Sequence, residues 1–164
     1  MGDERGAFRP MRRERQALTR PECEALLTSE KRGVLSVLGD GGYPYGIPIN
    51  HFYCPEDGRI YFHGGRIGHR VDAVRACDKV SFCVFDRGEN LDGDWSLYVR
   101  SVIVFGRIEL VEDRETVYDI SRRLSLRFTD DEAYIAREIE KSGPATLLMA
   151  LTPEHMTGKL VHES

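Results

Sequence analysis

The feature that most constrains the fold is a series of short apolar segments separated by glycine-containing turns. Gly33–Gly39, Tyr43–Tyr53 and Arg59–His63 are rich in β-branched and aromatic residues. The sequences between them, Asp40-Gly41-Gly42 and Pro55–Gly58, are typical of turns. Segments of this length joined by tight turns predict an antiparallel meander of three strands.

Further strands are predicted later in the chain. Lys79–Phe85 and Ala145–Leu151 have strand composition, and a short strand is expected around Met156–Val161 in the tail. Ser96–Val111 is long and apolar on both faces, so we expect it inside the sheet and not at its edge. Asp86–Asp94 is polar and contains glycine, which predicts a loop before that strand.

Helices are predicted where apolar residues recur at helical spacing. Thr19–Glu22 matches a capping box and begins a short helix that ends near Gly33. The other predicted helices are Ile67–Asp78, Asp113–Phe128 and Asp130–Lys141. Together the elements predict an α+β fold, a six-stranded antiparallel barrel with peripheral helices. Residues 1–15, rich in Arg, Glu and Gly, are predicted to be a mobile arm or one that orders against a partner subunit, and residues 16–164 form one domain.

Composition narrows the classes of function. The formal net charge of -4 and the pI of about 5.8 argue against a general nucleic-acid-binding protein, although they allow a local basic pocket. No apolar run approaches the roughly 20 residues of a membrane span, and the charged start lacks the apolar core of a secretory signal. We therefore expect a cytoplasmic protein with no membrane and no nucleic-acid partner. The four cysteines form no CxxC pair, which favours reduced thiols and no metal site: Cys23, Cys54, Cys77 and Cys83.

The segment Ile60–Arg70 carries the strongest functional signal. An apolar strand runs into a glycine-containing turn that opens a helix, and backbone N–H groups at a helix start favour an anion. Arg66, His69 and Arg70 place cations in the first turn, where they oppose the helix dipole unless an anion binds. The pattern is consistent with a phosphate site or with a solvated basic helix start. It is neither a P-loop nor a Rossmann fingerprint.

Two strands add weaker signals. In Tyr45–Asn50, Pro48 indicates an edge strand or a bulge, Gly46 allows close approach of a flat ligand, and Asn50 offers an amide. An irregular edge strand would explain the same residues. Ser101 is a small hydroxyl among β-branched neighbours, which fits a ligand contact or a bond to the backbone.

Taken in order, these segments resemble the pyridoxamine phosphate oxidase-like, FMN-binding split-barrel superfamily, and most closely its nitroimidazole-resistance (Nim-type) branch. The motifs are Met-Arg-Arg before a helix, GYPYGIPIN, YFHGGRIGHR, SVIVFGRIELVED and a late TGK. Each is loose alone, but their order covers roughly Arg12 to Lys159.

The resemblance implies a homodimer with two FMN sites, each built from both subunits. By position, the cofactor-binding residues would be Tyr45, Gly46, Ile47, Pro48, Ile49, Asn50, Phe62, His63, Gly64, Arg66, His69, Arg70, Ser101, Val102, Thr157, Gly158 and Lys159. His69 and Arg70 would hold the phosphate with Arg66 nearby, and a histidine in that role would make binding pH-dependent. The TGK segment would approach the flavin from the partner chain.

The resemblance also implies a redox enzyme that acts on a small molecule. His63 would lie near the reactive edge of the flavin and could donate a proton during reduction of a nitro group, with a nicotinamide as electron donor. It could equally only bind the ribityl chain. The alternatives are a non-catalytic module that binds flavin, haem or deazaflavin, and a flavin-free interaction domain. A true pyridoxamine phosphate oxidase needs a second cationic pocket and an Arg-rich C-terminus, and this sequence has neither.

Overall fold

The computed structural model describes residues 8–93 and 95–163, without the side chain of Glu163. It contains four α-helices in this part of the chain: α1 (Arg20–Ser29), α2 (His69–Ala76), α3 (Arg114–Ser125) and α4 (Glu132–Ser142). The strands are β1 (Arg32–Leu38), β2 (Pro44–Asn50), β3 (Phe52–Cys54), β4 (Arg59–Gly65), β5 (Lys79–Phe85), β6 (Glu89–Asn90), β7 (Leu97–Val111) and β8 (Thr146–Glu163).

The strands form one antiparallel sheet with the order β2-β1-β5-β7-β8-β4-β3, while β6 pairs with β7. β7 lies between β5 and β8 along its length, as its apolar sequence predicts. The sheet curls so that β2 and β4 approach each other without pairing in a ladder. The result is an α+β split barrel, which confirms the predicted fold class, with eight strands in place of six among the described residues.

The predicted three-stranded meander is wrong at its second strand. The segment Tyr43–Tyr53 is broken at His51, and the pieces on its two sides join opposite ends of the sheet: β2 pairs with β1, and β3 pairs with β4. The backbone N–H of His51 donates to the carbonyl of Lys31 and leaves the ladder. A single residue therefore carries the chain across the opening of the barrel.

The tail also differs from the prediction. Pro153 was expected to lie between two strands, but β8 continues from Thr146 to Glu163 as one strand. The irregularity is a register shift between Phe105 and Gly106 of β7, where His155 and Pro153 are the partners. Proline lacks the N–H that a ladder uses, and a bulge accommodates this loss.

The helices hold the barrel at its ends and over one face. α1 begins with the predicted capping box, in which Thr19 and Glu22 bond reciprocally. Leu26 and Leu27 of α1 join the main core inside the barrel, with Phe62 and Phe82 at 4.9 Å between ring centroids. α3 and α4 connect the adjacent strands β7 and β8, and Ile120 of α3 packs on a second, smaller cluster.

The described part of the N-terminal arm lies on the sheet. The ring of Phe8 stacks on His155 at 4.7 Å and on Phe105 at 5.9 Å, and Ala17 forms a bridge with Lys159. Residues 1–7 of the predicted arm are outside the described residues. Within residues 8–93 and 95–163, none of the helices has the length and apolarity needed to cross a membrane.

Candidate functional site

The guanidinium of Arg70 lies over the backbone of Gly64 at the end of β4. A Cβ at position 64 would come within 2.0 Å of Nη2 of Arg70, so only glycine leaves room for this side chain. The Nε of Arg70 is buried and has no hydrogen-bond partner among the described residues. Burial lowers the pKa of Arg70, although the nearby Tyr45 phenol partly offsets this effect. A buried cation without an anion is costly, so this place favours a negatively charged ligand.

The turn beside Arg70 is open. A Cβ at Gly65 or at Gly68 would meet no atom within 4 Å. Gly68 has a φ of 124°, which strongly favours glycine, and it precedes α2 without a side-chain cap. The first N–H groups of α2 therefore have no side-chain cap, and Arg70, whose Nε has no partner among the described residues, is the second residue of this helix.

His63 lies next to this cation. It is half-buried on β4, and burial together with the charge of Arg70 lowers its pKa. The imidazole is therefore neutral at neutral pH when no anion is present. An anion on Arg70 would cancel part of the repulsion and raise the pKa of His63 again.

His69 is held by the turn between β1 and β2. Its ring stacks on Tyr45 at 4.3 Å between centroids, and the backbone N–H of Asp40 donates to its Nε2 at 3.0 Å. An Nε2 that accepts a hydrogen bond belongs to a neutral imidazole that carries its proton on Nδ1. In this arrangement His69 positions Tyr45, and Arg70 is the cation whose guanidinium lies at Gly64.

Strand β2 forms the other wall of the opening. Among the described strands it pairs only with β1, which confirms the edge position that Pro48 predicts. Ile49 points into the core, and a Cβ at Gly46 would contact Val34 of β1 at 3.2 Å. The amide of Asn50 accepts from Nε of Arg32 at 2.8 Å. The ligand contacts that β2 can offer are thus its free backbone edge and its exposed side chains.

Three further expected site residues have side chains that pack in the core or bond away from the turn. Phe62 and Val102 are fully buried in the main core. Arg66 turns away from the phosphate turn, and its Nε donates to the carbonyl of Pro144 at 2.9 Å. Phe62 and Val102 could therefore touch a ligand only through their backbone, and Arg66 lies on the outer side of the turn.

The late TGK segment lies far along β8 from the phosphate turn. Gly64 pairs with Leu147, whereas Gly158 pairs with Val102, and Ser101 pairs with Lys159. Eleven residues of strand separate Leu147 from Gly158, a path of about 35 Å at about 3.3 Å per residue. Gly158 is covered by α1, since a Cβ there would lie 2.4 Å from Sγ of Cys23.

The other histidines have defined surroundings. His51 is fully buried, its Nε2 bonds to the carbonyl of Leu27 at 2.7 Å, and burial lowers its pKa to about 4. His155 stacks on Phe8 and His162 on Tyr98. No group of three His, Cys, Asp or Glu side chains in the described part of the chain is placed to hold a metal, and the four cysteines are unpaired thiols.

Two features of this region were missed by the sequence analysis. A cleft of about 840 Å³ lies between α3 and α4 and is bordered by Arg66. Met11, Arg12 and Arg13 line a smaller cleft of about 290 Å³ with Lys159. Both are formed by residues far apart in the sequence, so no local motif indicates them. In the loop before β7, the amide of Asn90 donates to the carbonyls of Trp95 and Ser96, and Trp95 is 79% exposed.

Residues 19–160 match the family model described as pyridoxamine 5'-phosphate oxidase, so the chain belongs to this family. The predicted superfamily is thereby confirmed. No curated protein matches the chain in sequence.

Solved structures share the fold at low identity. A candidate 5-nitroimidazole antibiotic resistance protein from Bacteroides thetaiotaomicron is 17% identical with a TM-score of 0.75, over 90% of this chain and 87% of that one. A conserved hypothetical protein from Mycobacterium tuberculosis is 19% identical with a TM-score of 0.77, over 92% and 90%. An FAD-binding protein from Mycobacterium smegmatis is 21% identical with a TM-score of 0.66, over 90% and 99%.

Proposed function

We propose that this chain is a flavin-dependent oxidoreductase that holds the FMN group, the part common to both flavin cofactors, at the opening of the barrel. The observation that carries the proposal is the half-buried Arg70, whose guanidinium lies on Gly64 and whose buried Nε has no hydrogen-bond partner among the described residues. The family match and the FAD-binding neighbour from M. smegmatis support a flavin as the ligand.

The phosphate of the FMN group would bind at the turn Gly64–Arg70. Arg70 supplies a positive charge, and the uncapped start of α2 supplies backbone N–H groups. The open space over Gly65 and Gly68 lets an anion approach the backbone. A phosphate here would neutralise a buried charge and satisfy free donors in one step.

The ring would lie along the free edge of β2. Backbone groups of Tyr45–Asn50 that face away from β1 are not used by a ladder in the described strands, and they can bond to the polar edge of the ring. His63 lies near the C-terminal end of β4, on the opposite side of the opening. The two walls therefore belong to strands from opposite ends of the sheet.

A second copy of the chain would complete the site. Ile103 and Phe105 on β7 are 40% and 42% exposed, an unusual condition for the inner strand of a sheet. Phe8 and Phe85 extend this apolar surface. A homodimer that buries it would also bring Ser101, Thr157 and Lys159 of one chain toward the opening of the other.

The proposed reaction is the two-electron reduction of a nitro compound. When bound, the flavin would supply the redox chemistry, the transfer of two electrons from a reduced nicotinamide to the nitro compound. In balance, the nitro compound, the reduced nicotinamide and one proton give the nitroso compound, the oxidised nicotinamide and water. The role of the protein is to orient the ring and to deliver protons. His63 is the proton donor in this proposal, because its pKa rises once an anion neutralises Arg70.

The direct test is the absorbance spectrum of the purified protein, followed by titration with FMN. We expect flavin bands, and we expect Arg70→Ala to weaken FMN binding about 10- to 100-fold, the loss of one charge-assisted contact. Arg75→Ala is the matched control, because Arg75 is exposed on the same helix. Equal FMN affinity in the two variants would place the phosphate elsewhere.

The role of His63 is tested separately. We expect His63→Ala to retain FMN and to slow reoxidation of the reduced flavin by a nitroimidazole about 100-fold or more. The rate of the parent should fall as the pH rises through the pKa of His63, and this dependence should disappear in the variant. A variant with unaltered rate and pH profile would remove His63 from catalysis.

A further inference from the structure

The cleft between α3 and α4 combines an apolar lining with charges of both signs. Its volume of about 840 Å³ lies in the range of small-molecule sites, roughly 300–1,000 Å³. Val111, Val117 and Ile139 are only half-buried along it, so aliphatic surface stays partly in contact with water. Tyr118 of α3, which is 49% exposed, lines the same cleft. A ligand with an apolar body would remove this surface from water.

Two arginines and two glutamates complete the lining: Arg66, Glu112, Arg114 and Glu140. None of the four belongs to an ion pair within the described part of the chain. The Nε of Arg66 donates to the carbonyl of Pro144 at 2.9 Å, which fixes this guanidinium at the cleft. The cleft therefore presents two cations and two anions that do not neutralise one another by direct contact.

Two of these charges lie at the same end of the helix pair. Arg114 is the first residue of α3, and Glu140 lies in the last turn of α4. Both helix ends join the neighbouring strands β7 and β8, in which Val111 pairs with Leu148. The start of a helix favours an anion and its end favours a cation. Each charge thus lies at the helix end that favours the opposite sign, and a ligand that carries both signs would stabilise both ends.

A second cleft, of about 640 Å³, has an excess of one sign. Six carboxylates line it against two arginines. Both arginines are already paired, Arg59 with Glu109 at 2.9 Å and Arg123 with Glu56 at 2.6 Å. Such a cleft has no free cation for a carboxylate, whereas the α3–α4 cleft offers unpaired groups of both signs beside an apolar surface.

We infer that the cleft between α3 and α4 binds a small zwitterion with an aromatic body, of the chemical class of the aromatic amino acids. Its carboxylate would accept hydrogen bonds from Arg114 and Arg66, and its ammonium would donate to Glu140 and Glu112. Its ring would pack on Tyr118 and cover the aliphatic side chains. The flavin takes no part in this site, so the site is independent of the proposed function.

The test is isothermal titration calorimetry of the full chain with three compounds that share a phenyl ring and differ in charge. We expect L-phenylalanine to bind at least about tenfold more tightly than phenethylamine, which lacks the carboxylate, or hydrocinnamate, which lacks the ammonium. Each analogue loses one pair of charge-assisted contacts. Absence of binding, or binding of L-phenylalanine no tighter than that of either analogue, would overturn the inference.

Two substitutions test the place of each charge. Arg114→Gln should weaken L-phenylalanine and hydrocinnamate about tenfold and leave phenethylamine unchanged. Glu140→Gln should weaken L-phenylalanine and phenethylamine by a similar factor and leave hydrocinnamate unchanged. Arg137→Gln and Glu138→Gln are the matched controls, because both residues lie on α4 outside the cleft lining, and they should alter none of the affinities. Cleft substitutions with no larger effect than these controls would place the zwitterion elsewhere and overturn the inference.

Discussion

The molecule contains two pairs of neighbouring histidine and arginine, His51 with Arg127 and His63 with Arg70, and the two pairs are used differently. In the first, Arg127 donates to the carbonyls of His51, Thr28 and Glu30, and so joins the end of α1 to the chain crossing at residue 51. In the second, Arg70 lies beside His63 with its Nε unpartnered among the described residues. Burial lowers the pKa of both arginines.

The contrast separates a structural arginine from a binding arginine. Carbonyl oxygens satisfy Arg127 within the chain, so its burial contributes to the fold. The Nε of Arg70 has no partner among the described residues. Partial burial of this charge therefore destabilises the ligand-free fold. The hydrogen bonds of the two arginines, more than their burial, thus distinguish the two regions, while Nδ1 of His51 is buried and also has no partner among the described residues.

The largest expected effect is a loss of stability on substitution of Arg127. Arg127→Met should lower the free energy of unfolding by about 3 kcal/mol, because three backbone carbonyls lose a charged donor at once. Urea denaturation monitored by circular dichroism measures this. FMN affinity of the folded fraction should stay the same, and a variant as stable as the parent would show that the carbonyls find other partners.

The second prediction concerns pH. The pKa of His51 is about 4 in the folded chain and about 6.5 when exposed, so the unfolded state binds more protons between these values. Stability should therefore fall as the pH drops from 6.5 to 4, by about 3 kcal/mol from this group. His51→Gln, which can still donate to Leu27, should flatten that part of the profile of unfolding free energy against pH. His63 acts in the same direction in both proteins, so the difference between them reports on His51 alone.

The third prediction is that substitution of the other arginine, Arg70, raises stability. Arg70→Met should raise the stability of the flavin-free chain by about 1 kcal/mol, since an unpaired buried charge is replaced by an apolar side chain of similar length. Thermal unfolding without flavin measures this gain. A loss of stability would mean that Arg70 has a structural partner and would make the two arginines alike.

The last prediction compares neighbouring glycines. Gly64→Ala forces the guanidinium of Arg70 to move and should weaken FMN binding about tenfold, the loss of part of a charge-assisted contact. Gly65→Ala meets no atom within 4 Å and should change the unfolding free energy by less than about 0.5 kcal/mol. Equal effects of the two substitutions on stability and FMN binding would show that the position of Arg70 does not depend on Gly64.

The fold was predictable where its cause is local. The capping box at Thr19 and the strand Lys79–Phe85 follow from neighbouring residues, and both are confirmed. The break at His51 was missed because the apolar pattern of 43–53 continues across it. The strand with which each half of the segment pairs depends on how the whole sheet closes. The local pattern of apolar residues does not determine this.

The candidate site divides in the same way. Gly64, Gly65, Gly68 and Arg70 lie within seven residues of one another. Their proximity could therefore be predicted without knowing the tertiary structure. The direction of Arg66 is set by Pro144, which is 78 residues away. The cleft between α3 and α4 depends on how two helices pack, so its existence could not be predicted from either helix alone.

The single-residue crossing at His51 has a consequence for permutation of the chain. Ala17 lies beside Lys159, so a short linker could join the C-terminal strand to the start of α1 while new termini open at residues 50 and 52. Every ladder of the sheet would survive, because His51 belongs to none of them. The cut would break the connection between β2 and β3 and remove the bonds of His51 to Lys31, Leu27 and Arg127, so the width of the opening would then be set by side-chain packing and bound ligand.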